Sequence, residues 1–311
     1  MTQALPYSKT SSLIFDESLE LSMVRWLDRL NAKRLSWEQF LQKIKDPLSL
    51  SRVATTQKGS SLLHLAVLDN RLDVIQILKK DPSLKMKRDA YGLSPIELAK
   101  FLDRKEALKL LDPLAEVATF PNLPELEKFE YLTHPVFESK EGLAQVLALT
   151  DKAKEEDTIP AEKIWMGVYF DKEIRGGSHP PVSIQHIDEE IGYGVFADKK
   201  IPACAFVGEY TGVVLAKTPR QLKDKTNCLR YTMWEGKKNF AIDAEEKGNF
   251  TRFINHSSNP NLCLQSVYLG GIPRMIFVAL REIRAGTQLS FDYGPLYWKN
   301  LPAPKDLLDD F

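Results

Sequence analysis

The sequence predicts an α+β protein of more than one domain, all-helical at its N-terminal end and mostly β at its C-terminal end. An eight-residue pattern near residue 60 returns further along the chain with helical spacing around it. From Val182 onward, short β-branched and aromatic runs are cut by Gly and Pro, as in a domain of short strands. The length of 311 residues suits about two such domains.

The helical part rests on the repeat. Gly59-Ser60-Ser61-Leu62-Leu63-His64-Leu65-Ala66 recurs as Gly92-Leu93-Ser94-Pro95-Ile96-Glu97-Leu98-Ala99, an offset of 33 residues. That period resembles the ankyrin repeat. Each unit continues into a second apolar helix, with Val74, Ile75, Ile77 and Leu78 in one and Ala107, Leu108, Leu110 and Leu111 in the other. Asp81-Pro82 and Asp112-Pro113 then read as helix stops, because proline cannot continue a helix. A third pair, Asp46-Pro47, closes an earlier helix with Trp37, Phe40, Leu41 and Ile44. Residues 36–45 are read as half of a degenerate first repeat that, with a helix near 21–30, caps the array. The helical cap and repeats are assigned to residues 1–113. The basic residues Lys79, Lys80, Lys85, Lys87 and Arg88 read as a solvated repeat surface rather than a nuclear-import signal.

Residues 114–181 form a helical connector, with one amphipathic helix at 141–154 and a loop by composition at 175–181. Strands are expected at 182–187, 194–197, 206–214, 240–242, 264–269, 275–279 and 288–291. That pattern alone suggests a β sandwich over 182–298, followed by a tail at 299–311.

Composition removes several function classes. Lys plus Arg and Asp plus Glu balance at 42 each, so the basic footprint of a nucleic-acid binder is missing. No apolar run is long enough for a membrane span, and residues 1–12 lack the apolar core of a secretory signal. Three dispersed cysteines, Cys204, Cys228 and Cys263, make neither a disulfide framework nor a four-sulfur zinc site, so no metal is expected. A soluble protein of a reducing compartment is the resulting expectation.

Four segments carry chemistry only when taken together. They are Gly192-Tyr193-Gly194, then Glu209-Tyr210-Thr211-Gly212, then Arg252-Phe253-Ile254-Asn255-His256-Ser257-Ser258-Asn259-Pro260-Asn261, and last Phe291-Asp292-Tyr293-Gly294 with Tyr297-Trp298 beyond it. Each alone is a turn, a core aromatic or an Asx-rich loop. In this order and spacing they resemble the SET-domain lysine methyltransferases, and most of all the euchromatic histone lysine methyltransferase group, which also pairs ankyrin repeats with a SET domain.

The resemblance implies a fold of small curved sheets with a pseudo-knot, in which the Asn-His segment threads beneath the loop that carries Tyr293. It implies S-adenosyl-L-methionine as cofactor and a protein lysine as substrate, histone tails first. Ile191 and Tyr193 are expected to meet the cofactor through their backbone. Arg230, Tyr231, Arg252, Phe253, Asn255, His256 and Tyr297 complete its site. Tyr210, Phe291, Tyr293 and Trp298 line the lysine channel, with Tyr293 and Tyr210 as the catalytic pair. The physics agrees with such a channel: a free lysine has a pKa of about 10.4, and a dry aromatic passage disfavours its ammonium form.

One departure bears on the substrate side. Many relatives carry Cys where this chain has Ser258, and three more cysteines after the last motif complete a structural zinc site. Here no cysteine follows Cys263. Tyr297, Trp298 and the tail 299–311 are the C-terminal segments left to form a lid. The ankyrin module is expected to recruit a partner or the substrate. Two other readings accompany this one: an ankyrin adaptor with a non-catalytic SET-like domain, and a methyltransferase of non-histone basic proteins. The short ankyrin-plus-SET plan also resembles effectors of intracellular bacteria that act on host chromatin. Location is then the nucleus, a host nucleus for such an effector, or otherwise the cytoplasm, with no direct contact to nucleic acid or membrane.

Overall fold

The computed structural model describes residues 17–44, 46–114, 119–121, 123–124, 129–217, 227–231 and 240–298. The tail 299–311, proposed from sequence as part of a lid, lies outside the described residues. The chain divides into two compact units, Met1–Pro95 and Ile96–Phe311. The division falls between Pro95 and Ile96, inside the second copy of the eight-residue pattern.

The first unit is helical: α1 (Glu17–Asn31), α2 (Trp37–Lys43), α3 (Pro47–Val53), α4 (Leu62–Leu68), α5 (Leu72–Leu78) and α6 (Pro82–Met86). Its core takes Leu27 and Leu30 from α1, Trp37 and Phe40 from α2, Leu62, Leu63 and Leu65 from α4, and Val74, Ile75 and Leu78 from α5. Helix α2 opens with a capping box: Ser36 Oγ accepts the Gln39 N–H at 3.2 Å, and Gln39 Oε1 accepts the Ser36 N–H at 3.1 Å. His64 is sealed inside. Its Nδ1 accepts the Ser61 N–H at 3.1 Å and its Nε2 meets the Leu93 carbonyl at 3.0 Å. Burial pushes its pKa down to about 4, so the ring is neutral and structural.

Two of the three Asp-Pro pairs act as helix starts, not stops. Helix α2 has already ended at Lys43 and α5 at Leu78. Asp81 caps α6 by accepting the Ser83 N–H, with Pro82 as the first helical residue, where a missing N–H costs nothing. Pro47 opens α3 in the same position. At Asp112-Pro113 a helix does end.

Helices α7 (Pro95–Phe101) and α8 (Lys105–Leu111) follow, with the bounds of α4 and α5 displaced by the 33-residue offset. After β1 (Glu130–Tyr131) and β2 (Val136–Phe137), the connector holds three helices rather than one: α9 (Lys140–Glu155), α10 (Ala161–Tyr169) and α11 (Asp171–Gly176). Arg175 and Gly176, expected in a loop, belong to the last of these. Gly177, at φ +61°, caps it in the left-handed conformation that favours glycine.

The remaining strands are β3 (Val182–Asp188), β4 (Gly192–Ala197), β5 (Phe206–Glu209), β6 (Val213–Leu215), β7 (Cys228–Tyr231), β8 (Phe240–Asp243), β9 (Lys247–Gly248), β10 (Asn255–His256), β11 (Leu262–Leu269), β12 (Ile272–Ala279) and β13 (Ser290–Phe291). A 3-10 turn, Phe250–Phe253, precedes β10, and a short helix, α12 (Pro295–Trp298), ends the described chain. The strands do not form a sandwich. Among the described residues they make five small sheets: β1-β9, β10-β13, β11-β12-β5, β2-β6-β8-β7 and β3-β4.

The expected strand 206–214 breaks in two because the chain changes sheets. Glu209 pairs with Ile276 of β12, whereas Val213 pairs with Asp243 of β8. At the crossing, Gly212 runs so close to the Asp243 carbonyl that any Cβ would collide with it. Glu209 is anchored by a buried bidentate ion pair with Arg274 and by Asn249 Nδ2 donating to its carbonyl at 2.8 Å. Tyr210 follows directly and is thereby aimed into the interior. Helices α10 and α11 cover one face of the β11-β12-β5 sheet, where Phe170 and Ile174 pack on Val267, Leu269 and Ile276. Among the described residues, no helix is long and apolar enough to cross a membrane.

Candidate active site

One stretch of backbone draws three of the four motifs together. Residues 286–289 run antiparallel to β4: Ala197 N–H donates to the Thr287 carbonyl at 3.0 Å, and Leu289 N–H to the Val195 carbonyl at 2.7 Å. The chain then changes partner at once. Ser290 and Phe291 pair in parallel with Asn255 and His256. Side chains lock the junction. Asn255 Nδ2 donates to the Tyr193 carbonyl at 3.0 Å, and Asn261 donates to the Gln288 carbonyl at 2.7 Å while accepting the Ser290 N–H at 3.0 Å. A Cβ at Gly194 would lie 2.6 Å from Gln288 Nε2 and 3.2 Å from Asn255 Nδ2, so the Gln288 side chain would have to shift to admit one.

Tyr293 sits at the centre. Its backbone N–H donates to His256 Nδ1 at 3.2 Å, and its hydroxyl donates to the Ile254 carbonyl at 2.9 Å. The first bond makes Nδ1 an acceptor and so puts the imidazole proton on Nε2. The second uses the one phenolic proton and leaves the oxygen lone pairs free to accept. Burial, with Tyr297 beside it, pushes the Tyr293 hydroxyl well above the ordinary phenol range. Tyr210 is buried too, and its hydroxyl donates to the Asn227 carbonyl at 2.9 Å. Burial first, and Tyr293 next, keep it protonated.

Aromatic rings link these groups into one file. Tyr210 meets Phe277 at 6.5 Å, Phe277 meets Phe291 at 4.9 Å, and Phe291 meets Tyr293 at 4.7 Å, centroid to centroid. Tyr297 packs edge-on to Tyr293 at 4.7 Å, and Trp298 meets His256 at 4.9 Å. On the other side, the Arg252 guanidinium lies 4.9 Å over Phe253 and 5.0 Å over Phe129. Phe253 is 6.2 Å from Tyr193.

Of the residues singled out from sequence, Tyr193, Phe253, Asn255, His256, Tyr210, Phe291, Tyr293, Tyr297 and Trp298 are connected by these contacts, with Arg252 against Phe253. Two stand apart. Tyr231 is fully buried and donates its hydroxyl proton to the Pro273 carbonyl at 2.6 Å, and Arg230 beside it is exposed. Ile191 is exposed, and its N–H is used by Asp188 at 2.7 Å, which leaves its carbonyl for a ligand. Three contributors were missed: Gln288, Asn261 and the Ile254 carbonyl. Asn261 and Ile254 lay inside a motif already quoted, but nothing in the sequence shows which strand they meet.

Residues 192–294 match the SET domain family. The chain carries a SET domain. Histone-lysine N-methyltransferase EHMT1 of Mus musculus is 34% identical to it over 114 residues, which cover 35% of this chain and 9% of that protein. Histone-lysine N-methyltransferase ASHR3 of Arabidopsis thaliana is 39% identical over 109 residues, covering 34% of this chain and 22% of its own length. Histone-lysine N-methyltransferase SUV39H2 of Gallus gallus is 29% identical over 129 residues, covering 39% and 32%. The chain thus spans less than a third of each of these relatives.

SET domain methyltransferases use S-adenosyl-L-methionine as methyl donor. The residues present suit that molecule. Arg252 Nε, Gln288 Nε2 and Trp298 Nε1 are buried donors without a partner among the described residues, which is costly unless a ligand or water satisfies them. Donors for a carboxylate and a purine, beside aromatic faces, are what its two ends require.

The sequence leads us to expect no zinc in the lid. Among the described residues, no group of three or more His, Cys, Asp or Glu is placed to hold a metal ion, and Ser258 is exposed. Elemental analysis of the purified protein is expected to find no stoichiometric zinc, and a chelator to leave activity intact. One tightly held zinc per chain would contradict this.

Proposed function

We propose that this chain is a protein-lysine N-methyltransferase acting on histone tails or similar basic segments. The observation that carries the proposal is Tyr293, whose hydroxyl is pinned on the Ile254 carbonyl inside an aromatic file, directly beside the Asn255-His256 strand. The parallel pairing of β10 with β13 is the contact a threaded SET core needs.

Arg252, Asn255, His256, Gln288, Tyr297 and Trp298 would hold S-adenosyl-L-methionine, together with the backbone at Ile191 and Tyr193. When bound, it supplies an electrophilic methyl group on a sulfonium. The protein's own part is positioning, the main source of rate in an in-line displacement. Tyr210, Phe291 and Tyr293 wall off water and so favour the neutral amine. The Tyr293 oxygen, its proton committed to Ile254, accepts an N–H from the entering amine and turns the nitrogen lone pair along the channel. Both phenols stay neutral at every working pH, so neither adds a charge that would hold an ammonium. Tyr297 and Trp298, packed on Tyr293 and His256, are the aromatic cover.

We read the N-terminal helices as ankyrin-type repeats that recruit the substrate or another protein. The equal bounds of α4–α5 and α7–α8 support this, as does His64 reaching from one copy to the Leu93 carbonyl of the next.

Titration of the whole protein with S-adenosyl-L-methionine by calorimetry tests the reading. Stoichiometric binding is expected, and a folded protein that does not bind is an adaptor rather than an enzyme. Product multiplicity is a second test. Phe291 is buried between Phe277 and Tyr293 and has no hydroxyl to hold a water in the channel. Di- or trimethyl-lysine is therefore expected at completion, and Phe291→Tyr should shift products toward monomethyl-lysine while sparing the first transfer. Wild-type protein that stops at one methyl group, read by mass spectrometry of a peptide, would contradict it.

A further inference from the structure

Tyr210 is held at both of its polar ends. Its backbone N–H donates to the Met275 carbonyl at 2.7 Å, and its hydroxyl to the Asn227 carbonyl at 2.9 Å. The backbone that leads into it is fixed one position earlier, at Glu209. Glu209 and Arg274 lie on the neighbouring strands β5 and β12, and both are buried. Arg274 Nη2 donates to Glu209 Oε2 at 2.6 Å, and Arg274 Nε donates to Oε1. Such a pair is stiff while it is dry, because water screens the charges and competes for the same hydrogen bonds.

A cover for the guanidinium comes from outside the matched residues 192–294. Phe101, the last residue of α7, sets its ring centre 5.4 Å from the guanidinium carbon of Arg274. An aromatic face attracts a cation and offers no hydrogen bond that could draw it away from its carboxylate. The ring itself is fixed. Phe101 is buried, with Phe137 of β2 at 6.2 Å and His134 at 6.1 Å, both edge to face. Burial pushes His134 down to about 3, so its ring is neutral and adds no second positive charge beside Arg274. The chain is tied down on either side of Phe101 as well. Glu97 pairs with Arg175 of α11, and Asp103 accepts from Lys247 Nζ of β9 at 2.6 Å. Phe101 and all the residues named with it belong to the same compact unit.

We propose that Phe101 is a positioning residue for methyl transfer. Its ring keeps the Glu209–Arg274 pair dry, and the pair holds the backbone that aims Tyr210 into the lysine channel. This role rests on the lysine methyltransferase reading, and it makes α7 part of the catalytic framework.

Phe101→Leu in the intact chain tests it, since leucine stays apolar but has no aromatic face. Phe101→Met is carried in parallel, so that either folded variant decides. Turnover is counted per bound S-adenosyl-L-methionine, with sites counted by calorimetry, so that loss of folded protein does not register. It should fall about 10-fold, the scale of a small misplacement in the site, with cofactor affinity kept within about threefold. In a Tyr210→Phe background the same change should cost less than about twofold, because the hydroxyl that anchors the aimed ring is already gone. Hydrogen exchange gives a readout apart from activity. The Tyr210 amide should exchange about 10-fold faster in the variant, while the Leu289 amide, bonded to Val195, keeps its wild-type rate. Wild-type turnover per bound cofactor overturns this role and leaves the methyltransferase reading standing. Equal losses in the Tyr210 and Tyr210→Phe backgrounds overturn it too, as does faster exchange at Leu289 to the same degree. A wild-type protein that binds cofactor but transfers no methyl group overturns the reading and this role with it.

Discussion

Tyr293→Phe is expected to lose turnover by about 10²–10³-fold, the size seen when one preorganised polar contact to a transition state is removed. Affinity for S-adenosyl-L-methionine should stay within about threefold, because the ring remains and the lost oxygen serves the amine. The structure sharpens this expectation. The hydroxyl donates to the Ile254 carbonyl, so its removal also leaves that carbonyl with one bond fewer, at a cost of about 1–3 kcal/mol in stability. Thermal unfolding of the variant must therefore show it folded at the assay temperature. Within a folded variant, the loss should fall on kcat and leave KM for the cofactor nearly unchanged. Wild-type turnover would remove Tyr293 from the chemistry.

The second large effect concerns Asn255 and His256. Asn255 ties β10 to β4 through the Tyr193 carbonyl, and His256 Nδ1 receives the Tyr293 N–H. Replacing both by Ala is expected to weaken cofactor binding by at least about 100-fold, or about 2.7 kcal/mol. Asn255→Ala alone should cost about 10-fold or more, since it removes the bond that ties β10 to the Tyr193 carbonyl of β4. Calorimetric titration reads both losses, with circular dichroism to confirm the fold. A folded double variant that binds normally would show that this segment is only a structural loop.

Legibility differed sharply along the chain. The helices of the repeat were legible because their signal is local: apolar spacing and a 33-residue offset, which returns in the helix bounds 62–68 and 95–101. The Asp-Pro pairs misled because the same dipeptide suits both a stop and a start. The Asp side chain can cap and proline can fill the first turn, and only the backbone of the preceding residues decides between them. The strand 206–214 looked continuous because β-branched residues fill it, and the break at Gly212 comes from the distant Asp243 carbonyl. Strands β1, β9 and β10, two residues each, carry no periodicity at all.

The site was legible for a different reason. Motif order named Tyr210, Asn255, His256, Phe291 and Tyr293, but resemblance could not say that residues 286–291 change partner from β4 to β10. That single exchange is what brings Gln288 and Asn261 to the candidate site.

The central claim is methyl transfer to lysine, and one measurement addresses it most directly. The intact protein is incubated with isotopically labelled S-adenosyl-L-methionine and core histones, with Tyr293→Phe in parallel, and modified residues are located by tandem mass spectrometry. The account predicts labelled methyl groups on lysine ε-amines with wild type and their near absence with the variant. A folded wild-type protein that binds the cofactor yet labels no lysine, in histones or in a whole-cell lysate, would contradict it.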